Sequence, residues 1–217
     1  MFEYALLIPV KLFNLAKQRL ASSLDMRQRT YLAAALAQRT VLSFDQKDTF
    51  VVCDNPHTEK WAGSMGVQSI VADGSGMCPQ ISCAVDRVSE MGYKNVIIMH
   101  SDLPKVTNLF LYLNRLETAD MVIVPDRRFS GTNLLKIPAS VPFQFHYGAN
   151  SFFLHRQEAE KQNLNYSVYH DADLSFDIDL PEDLTYLGVE ELNILLSEGE
   201  ERLKKSGIRE FDGEDNG

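Results

Sequence analysis

The stretch Asn95-Val96-Ile97-Ile98-Met99-His100-Ser101-Asp102 decides the fold. Val96 to Met99 is a continuous apolar run, the pattern of a strand covered on both faces inside a parallel sheet. His100, Ser101 and Asp102 then place polar groups at its carboxyl end. Just before it, Pro79 opens a segment in which Ile81, Ala84, Val85 and Val88 take the i, i+3, i+4 and i+7 positions of a one-sided helix. Gly92 stands where that helix needs a C-terminal cap. Just after the strand, Leu109, Tyr112, Leu113 and Leu116 repeat the helical spacing, and 121–124 is a second fully apolar strand that runs into Pro125 and Asp126.

Toward the N-terminus the alternation continues. Residues 4–10 read as an apolar strand, followed by a loop carrying Lys11, Lys17 and Arg19 and an Ala- and Leu-rich helix over 27–43. Strands at 50–53 and 68–71 flank a short helix at 58–63. Strands alternating with helices imply an α/β fold, a three-layer, doubly wound and mostly parallel sheet. From 130 to 179 the rhythm breaks into shorter extended pieces around one helix at 150–162, which predicts a small antiparallel excursion and a place for a second substrate. A last helix starts at Pro181, with Glu182 and Asp183 in its first turn near the positive end of the helix dipole. No linker divides the chain, so residues 1–206 are expected to form one domain and 207–217 a polar tail.

Composition narrows the function. A formal charge of −9, from 21 Lys and Arg against 30 Asp and Glu, argues against nucleic acid, whose phosphates need clustered cations. The longest apolar run near the start contains Pro9 and is too short for a membrane span or a signal segment, so a cytoplasmic protein is expected. Three cysteines, Cys53, Cys78 and Cys83, fit neither a disulfide framework nor a zinc site. Five scattered histidines leave oxygen ligands as the basis for any metal site.

In open parallel sheets ligands gather outside the carboxyl ends of the strands. Asp102 lies there, either as a metal or catalytic carboxylate or as a turn acid ahead of Pro104. Asp177-Ile178-Asp179 puts two carboxylates on one face of an extended segment, which suits Mg²⁺, although acidic surface pairs read the same way. Lys11, Lys17 and Arg19 suit nucleotide phosphates or a solvated basic helix start. Gly74 and Gly76 allow close approach of a cofactor nucleotide or merely a turn. No phosphate-binding P-loop or dinucleotide fingerprint is present.

Taken together, several segments in order resemble the CofC/FbiD-type 2-phospho-L-lactate guanylyltransferases of coenzyme F-420 biosynthesis. They are Ile8-Pro9-Val10-Lys11 with Ala16-Lys17-Gln18-Arg19-Leu20, Ser101-Asp102-Leu103-Pro104, Pro125-Asp126-Arg127-Arg128 with Gly131-Thr132-Asn133, Tyr147-Gly148-Ala149-Asn150-Ser151-Phe152 with His155, and Asp177-Ile178-Asp179-Leu180-Pro181-Glu182-Asp183-Leu184. The resemblance implies a molybdopterin-guanylyltransferase-like fold, GTP as donor, and a small phosphorylated acid as acceptor: 2-phospho-L-lactate, phosphoenolpyruvate or 3-phosphoglycerate. It further implies Asp102, Asp177 and Asp179 as Mg²⁺ ligands, Thr132, Gly148 and Ser151 as acceptor-binding positions, and Lys11, Lys17 and Arg19, with Asp102, as the catalytic set on the nucleotide phosphates. A homodimer is expected by analogy. Where the family has Gly-Leu-Asn followed by small residues, this chain has Gly76-Met77-Cys78-Pro79-Gln80, which loses the asparagine amide. The rival readings are a glycosyltransferase that holds a sugar nucleotide on the same D-x-D, and a nucleotide-binding regulatory protein without turnover.

Overall fold

A computed structural model of the chain describes residues 3–72 and 76–208. Seven strands, β1 (Tyr4–Pro9), β2 (Thr49–Cys53), β3 (Gln68–Val71), β4 (Asn95–Met99), β5 (Met121–Pro125), β6 (Thr132–Pro138) and β7 (Tyr166–Val168), form one sheet in the order β3-β2-β1-β4-β6-β5-β7. Only β6 runs against the others: it pairs antiparallel with both β4 and β5, and every other pairing is parallel. The expected antiparallel excursion is therefore a full strand set into the middle of the sheet. It carries Thr132 and Asn133 back from the same edge at which β4 ends.

The helices are α1 (Met26–Val41), α2 (Pro56–Gly63), α3 (Met77–Glu90), α4 (Leu113–Leu116), α5 (Ser151–Lys161), α6 (Pro181–Leu187) and α7 (Val189–Ser206). Two expectations need correction. Helix α3 begins two residues before Pro79, on Gly76 at a φ of +102°, a backbone conformation open to glycine; Pro79 sits in the first turn, where its missing N–H costs nothing. The helical spacing from Leu109 to Leu116 is met by a 3-10 turn followed by only one α-helical turn.

Alternation along the central strands builds two cores. Leu6, Ile8, Ile97 and Met99 face α1 and the fully buried Trp61, while Ala5, Leu7, Val96 and Ile98 face Ile81, Ala84, Val85 and Val88 of α3. Complete burial of four such residues contributes on the order of 1.5–3 kcal/mol each, which is why this run fixes the fold. A third core lies beyond α1, where Leu32, Ala35 and Leu36 meet Ile178, Leu187 and Leu195. Helix α1 is thus buried on both sides, and α7 forms an extra layer. Leu195 is buried in this core, and Leu192 and Leu196 pack partly against it.

Helix α1 starts on a capping box between Asp25 and Gln28, and Arg39 ties it to Glu191 and Glu198 of α7. The two helices meet at Gly199, where a Cβ would stand 1.9 Å from the Tyr31 carbonyl oxygen. Residues 209–217, most of the expected tail, lie outside the described residues, as does Gly74. Gly199→Ala is expected to destabilise the fold by roughly 3 kcal/mol, the upper end of overpacking costs. Urea unfolding followed through the fluorescence of Trp61, the single tryptophan, measures it.

Candidate active site

Lys17 organises the carboxyl edge of the sheet. The loop after β1 makes two 3-10 turns, Phe13–Leu15 and Gln18–Leu20, and between them Lys17 adopts a left-handed conformation at φ 55°. That turn directs its side chain inward, where it is only 8 % exposed. Its Nζ donates to Asp102 Oδ2 at 2.7 Å and to the Ile178 carbonyl at 2.6 Å. The Ile178 N–H in turn donates to the Asp102 carbonyl at 3.2 Å. One ammonium and one backbone bond therefore join the β1 loop, the end of β4 and the D-x-D segment.

The segment from Asp177 to Asp179 belongs to no strand. Ile178 points into the third core, so the two aspartates turn the other way, as their spacing predicts. Asp177 is buried, and its carboxyl is pushed up to about 6 by burial first, then by repulsion from Asp102 and Asp126. Asp102 differs. Burial pushes its carboxyl up too, but the Lys17 ammonium, with help from His100, outweighs that and holds it below the usual range. Asp179 is more exposed and pairs with Arg19 Nη1 at 2.6 Å. With Arg19 mostly in solvent, that pair contributes little to stability.

Could these carboxylates hold a divalent cation? Among the described residues no three His, Cys, Asp or Glu groups form a ready-made metal cage. Yet Asp102 Oδ1 and Asp177 Oδ1 are both buried without a hydrogen-bond partner. Two vacant carboxylate oxygens fit Mg²⁺, which usually takes one or two carboxylates and completes its shell with water and substrate phosphates.

A cleft of about 410 Å³ opens beside them. Lys11, Lys17, Arg19, Asp102 and Asp179 line it, and its far wall is Asp54, Met77 and Gln80 at the start of α3. Gln80 Nε2 donates to Asp54 Oδ2 at 3.1 Å. The hydrogen bond from Asn55, then that from Gln80 and the charge of Lys11, holds Asp54 below the usual carboxylate range against the opposing effect of burial. Of the residues singled out in sequence, the cleft thus gathers the three cations and two of the three aspartates. Gly76 caps the helix at its rim.

Thr132, Gly148 and Ser151 lie elsewhere. Ser151 Oγ donates to Thr132 Oγ1 at 3.2 Å, and Thr132 Oγ1 also meets His155 Nδ1 at 3.0 Å. Both hydroxyls are buried and engaged with each other rather than facing the cleft. Gly148, at a φ of +128°, accepts from the Ser151 N–H. His155 Nε2 accepts from the His146 N–H at 2.9 Å, so the ring proton sits on Nδ1 and points at Thr132.

Sequence reasoning passed over three groups. Asp183, read as a first-turn acid, is fully buried; its Oδ2 accepts from the Asp179 and Leu180 N–H groups at 2.8 Å each, and its Oδ1 pairs with Arg127 and Arg128. The Arg127 guanidinium lies between the Phe176 and Tyr186 rings, 4.6 and 4.7 Å from their centroids. Asp183 therefore locks the D-x-D segment to the loop after β5. The two missed neighbours in that area are His100, which lines the cleft, and Asp126, which acts electrostatically on Asp177. The signal that could have found them is position: Asp126 and Asp183 fall inside the quoted motifs, and His100 stands two residues before Asp102.

A mostly parallel sheet with one inserted antiparallel strand, cations and carboxylates along its carboxyl edge, and a nucleotide-sized cleft between them define a nucleotidyltransferase. Solved structures share the fold. A nucleotide-diphospho-sugar transferase from Desulfovibrio desulfuricans G20 superposes with a TM-score of 0.72 at 19 % identity, covering 95 % of this chain and 99 % of that one. A nucleotidyl transferase from Methanothermobacter superposes with a TM-score of 0.59 at 13 % identity, covering 88 % and 99 %. In sequence, residues 4–203 match the guanylyl transferase CofC-like family. The phosphoenolpyruvate guanylyltransferase of Thermobaculum terrenum is 30 % identical over 83 % of this chain and 80 % of its own. The 2-phospho-L-lactate guanylyltransferase of Methanocaldococcus jannaschii is 29 % identical over 82 % and 79 %. The chain belongs to the CofC-like guanylyltransferase family, and it is a guanylyltransferase; the glycosyltransferase and regulatory readings are not favoured.

The His155 network makes stability depend on pH. Burial first, then His146 and His100, lowers the His155 pKa from 6.5 to about 3. As pH falls below 6.5 the unfolded chain takes up a proton that the folded ring refuses, so the folded state loses about 1.4 kcal/mol per pH unit down toward pH 3. Asp177, with its raised value, works in the opposite direction, so the comparison must be between variants. Relative to His155→Gln, the wild type is expected to lose stability at that rate between pH 6.5 and 4.5, measured by urea unfolding at several pH values.

Proposed function

We propose that this enzyme transfers GMP from GTP to the phosphate of a small phosphorylated acid, 2-phospho-L-lactate, phosphoenolpyruvate or 3-phosphoglycerate, and releases pyrophosphate, as a step in coenzyme F-420 biosynthesis. The observation that carries this reading is the Lys17–Asp102 pair with vacant carboxylate oxygens at the edge of the cleft, in a chain whose relatives are named for two of these acceptors. The three cysteines are unpaired, which suits a cytoplasmic enzyme. No helix among the described residues is long and apolar enough to cross a membrane.

An acceptor phosphate oxygen attacks the α-phosphorus of GTP, the bond from that phosphorus to the bridging oxygen breaks, and the pair leaves on pyrophosphate. A phosphate monoester is largely a dianion near neutral pH, so no general base is needed. The barrier lies in bringing two anions together, and the residues address that. Lys11, Lys17 and Arg19 meet the phosphates of the nucleotide. Asp102 and Asp177, with Asp179 beside them, would hold Mg²⁺, which when bound neutralises and aligns the reacting phosphates. Asp183 keeps Asp179 in place through two backbone N–H groups.

Incubating the enzyme with GTP, Mg²⁺ and each of the three acids in turn is expected to give pyrophosphate and a product heavier than the acid by one guanylyl group. GDP-mannose in place of GTP is expected to give nothing. Asp177→Asn removes a buried carboxylate yet keeps its shape, so it should fold while its pyrophosphate release falls by roughly 100-fold or more. Wild-type rates in that variant would remove Asp177 from the metal site.

A further inference from the structure

Beyond the cleft, on the side of Thr132 and His155, Tyr147 is held from several directions. Its ring lies edge-on to His155 at 4.8 Å between centroids, stacks on Phe145 at 6.2 Å, and faces His100 at 5.6 Å. Its N–H donates to Cys78 Sγ at 3.2 Å, which ties the residue to the first turn of α3. So positioned, its hydroxyl is buried with no hydrogen-bond partner, and the Nε2 of the adjacent His100 is buried without a partner as well. A buried polar atom left unpaired is costly, and two of them on neighbouring rings, next to a cleft that His100 itself lines, mark a place built for a ligand.

We propose that the Tyr147 hydroxyl, beside His100, donates a hydrogen bond to the carboxylate of the acceptor and so sets which phosphorylated acids the enzyme uses. The inference rests on the guanylyl transfer proposed above. The acceptor's phosphate must sit at Asp102 and Lys17, where it meets the nucleotide. His100 lies between the two: its Nδ1 is 4.0 Å from Asp102 Oδ1 and its ring 5.6 Å from that of Tyr147, so an acid whose phosphate sits at Asp102 has its carboxylate, one carbon from the phosphate-bearing carbon in 2-phospho-L-lactate and phosphoenolpyruvate and two in 3-phosphoglycerate, to offer to this side. A phenol is a neutral donor to an anion, so it adds no charge to a region already crowded with Asp102, Asp126 and Asp177. The rings and Cys78 hold it in advance, so little entropy is lost when the acid binds. The chain's departure at Gly76-Met77-Cys78 gains a role here: the sulfur that replaces an amide positions this tyrosine.

Tyr147→Phe removes one oxygen and leaves the ring packing intact. With 2-phospho-L-lactate, phosphoenolpyruvate and 3-phosphoglycerate each tested, the variant is expected to raise the KM of the preferred acid about tenfold or more while the KM of GTP stays within twofold. Because the hydroxyl is unpaired in the free protein, the melting temperature of the variant is expected to equal or exceed that of the wild type. An unchanged acceptor KM, or an equal rise in both KM values, overturns the proposal. A lower melting temperature also overturns it, since that would reveal a structural partner for the hydroxyl. A wild type that turns over none of the three acids defeats the proposed reaction first, and this inference with it.

Discussion

A single buried ammonium holds the catalytic edge together. Lys17 comes from a loop, Asp102 from a strand end and Ile178 from an irregular segment, and none of these pieces is rigid by itself. The ammonium accepts desolvation because it is nearly saturated by a carboxylate and a carbonyl, the condition under which a buried charge is tolerated. It also determines how the neighbouring acids behave. Asp102 takes the counter-charge and stays ionised, while Asp177 is penalised for ionising by burial first and then by Asp102, against a weaker pull from Lys17. The asymmetry between two aspartates of one cluster follows from which of them the lysine touches.

Around that cluster the protein separates two jobs that are easily confused. The cleft between β1, β4 and the start of α3 presents charged side chains to a ligand. The region behind Thr132 presents almost none: its hydroxyls and His155 spend their hydrogen bonds on one another. That inner network fixes the backbone from Gly148 to Ser151, and a ligand on that side would meet backbone, Tyr147 and His100 rather than the two hydroxyls. Asp183 plays the matching part on the other flank, where two arginines and two backbone N–H groups converge on one carboxylate.

Much of this was legible in the sequence, for identifiable reasons. The run from Val96 to Met99 could be read because burial on both faces leaves no polar residue to confuse the pattern. Asp177 and Asp179 could be read because Ile178 between them has to point inward. Strand β6 was harder: Asn133 and Lys136 interrupt its apolar character, yet both are buried in the structure. Lys136 extends its ammonium to the carbonyls of Ala119 and Asp120, and Asn133 donates to the Leu174 carbonyl. Asp183 is a first-turn acid as read, but that local explanation hid its wider role, because its arginine partners lie 55 and 56 positions away. Contacts of that kind leave no periodicity behind.

The distance between Lys17 and Ile178, 161 positions along the chain, also sets the order in which the protein comes into being. At synthesis rates of about 5–20 residues per second, the lysine leaves the ribosome on the order of ten seconds or more before the carbonyl that will anchor it. Strands β1 to β4 can pair in that interval, since their partners have already been made. The basic loop cannot settle. A nascent chain interrupted before the D-x-D segment would own all seven strands and no complete active site, so the chemistry of this enzyme is assembled by a segment made after the sheet.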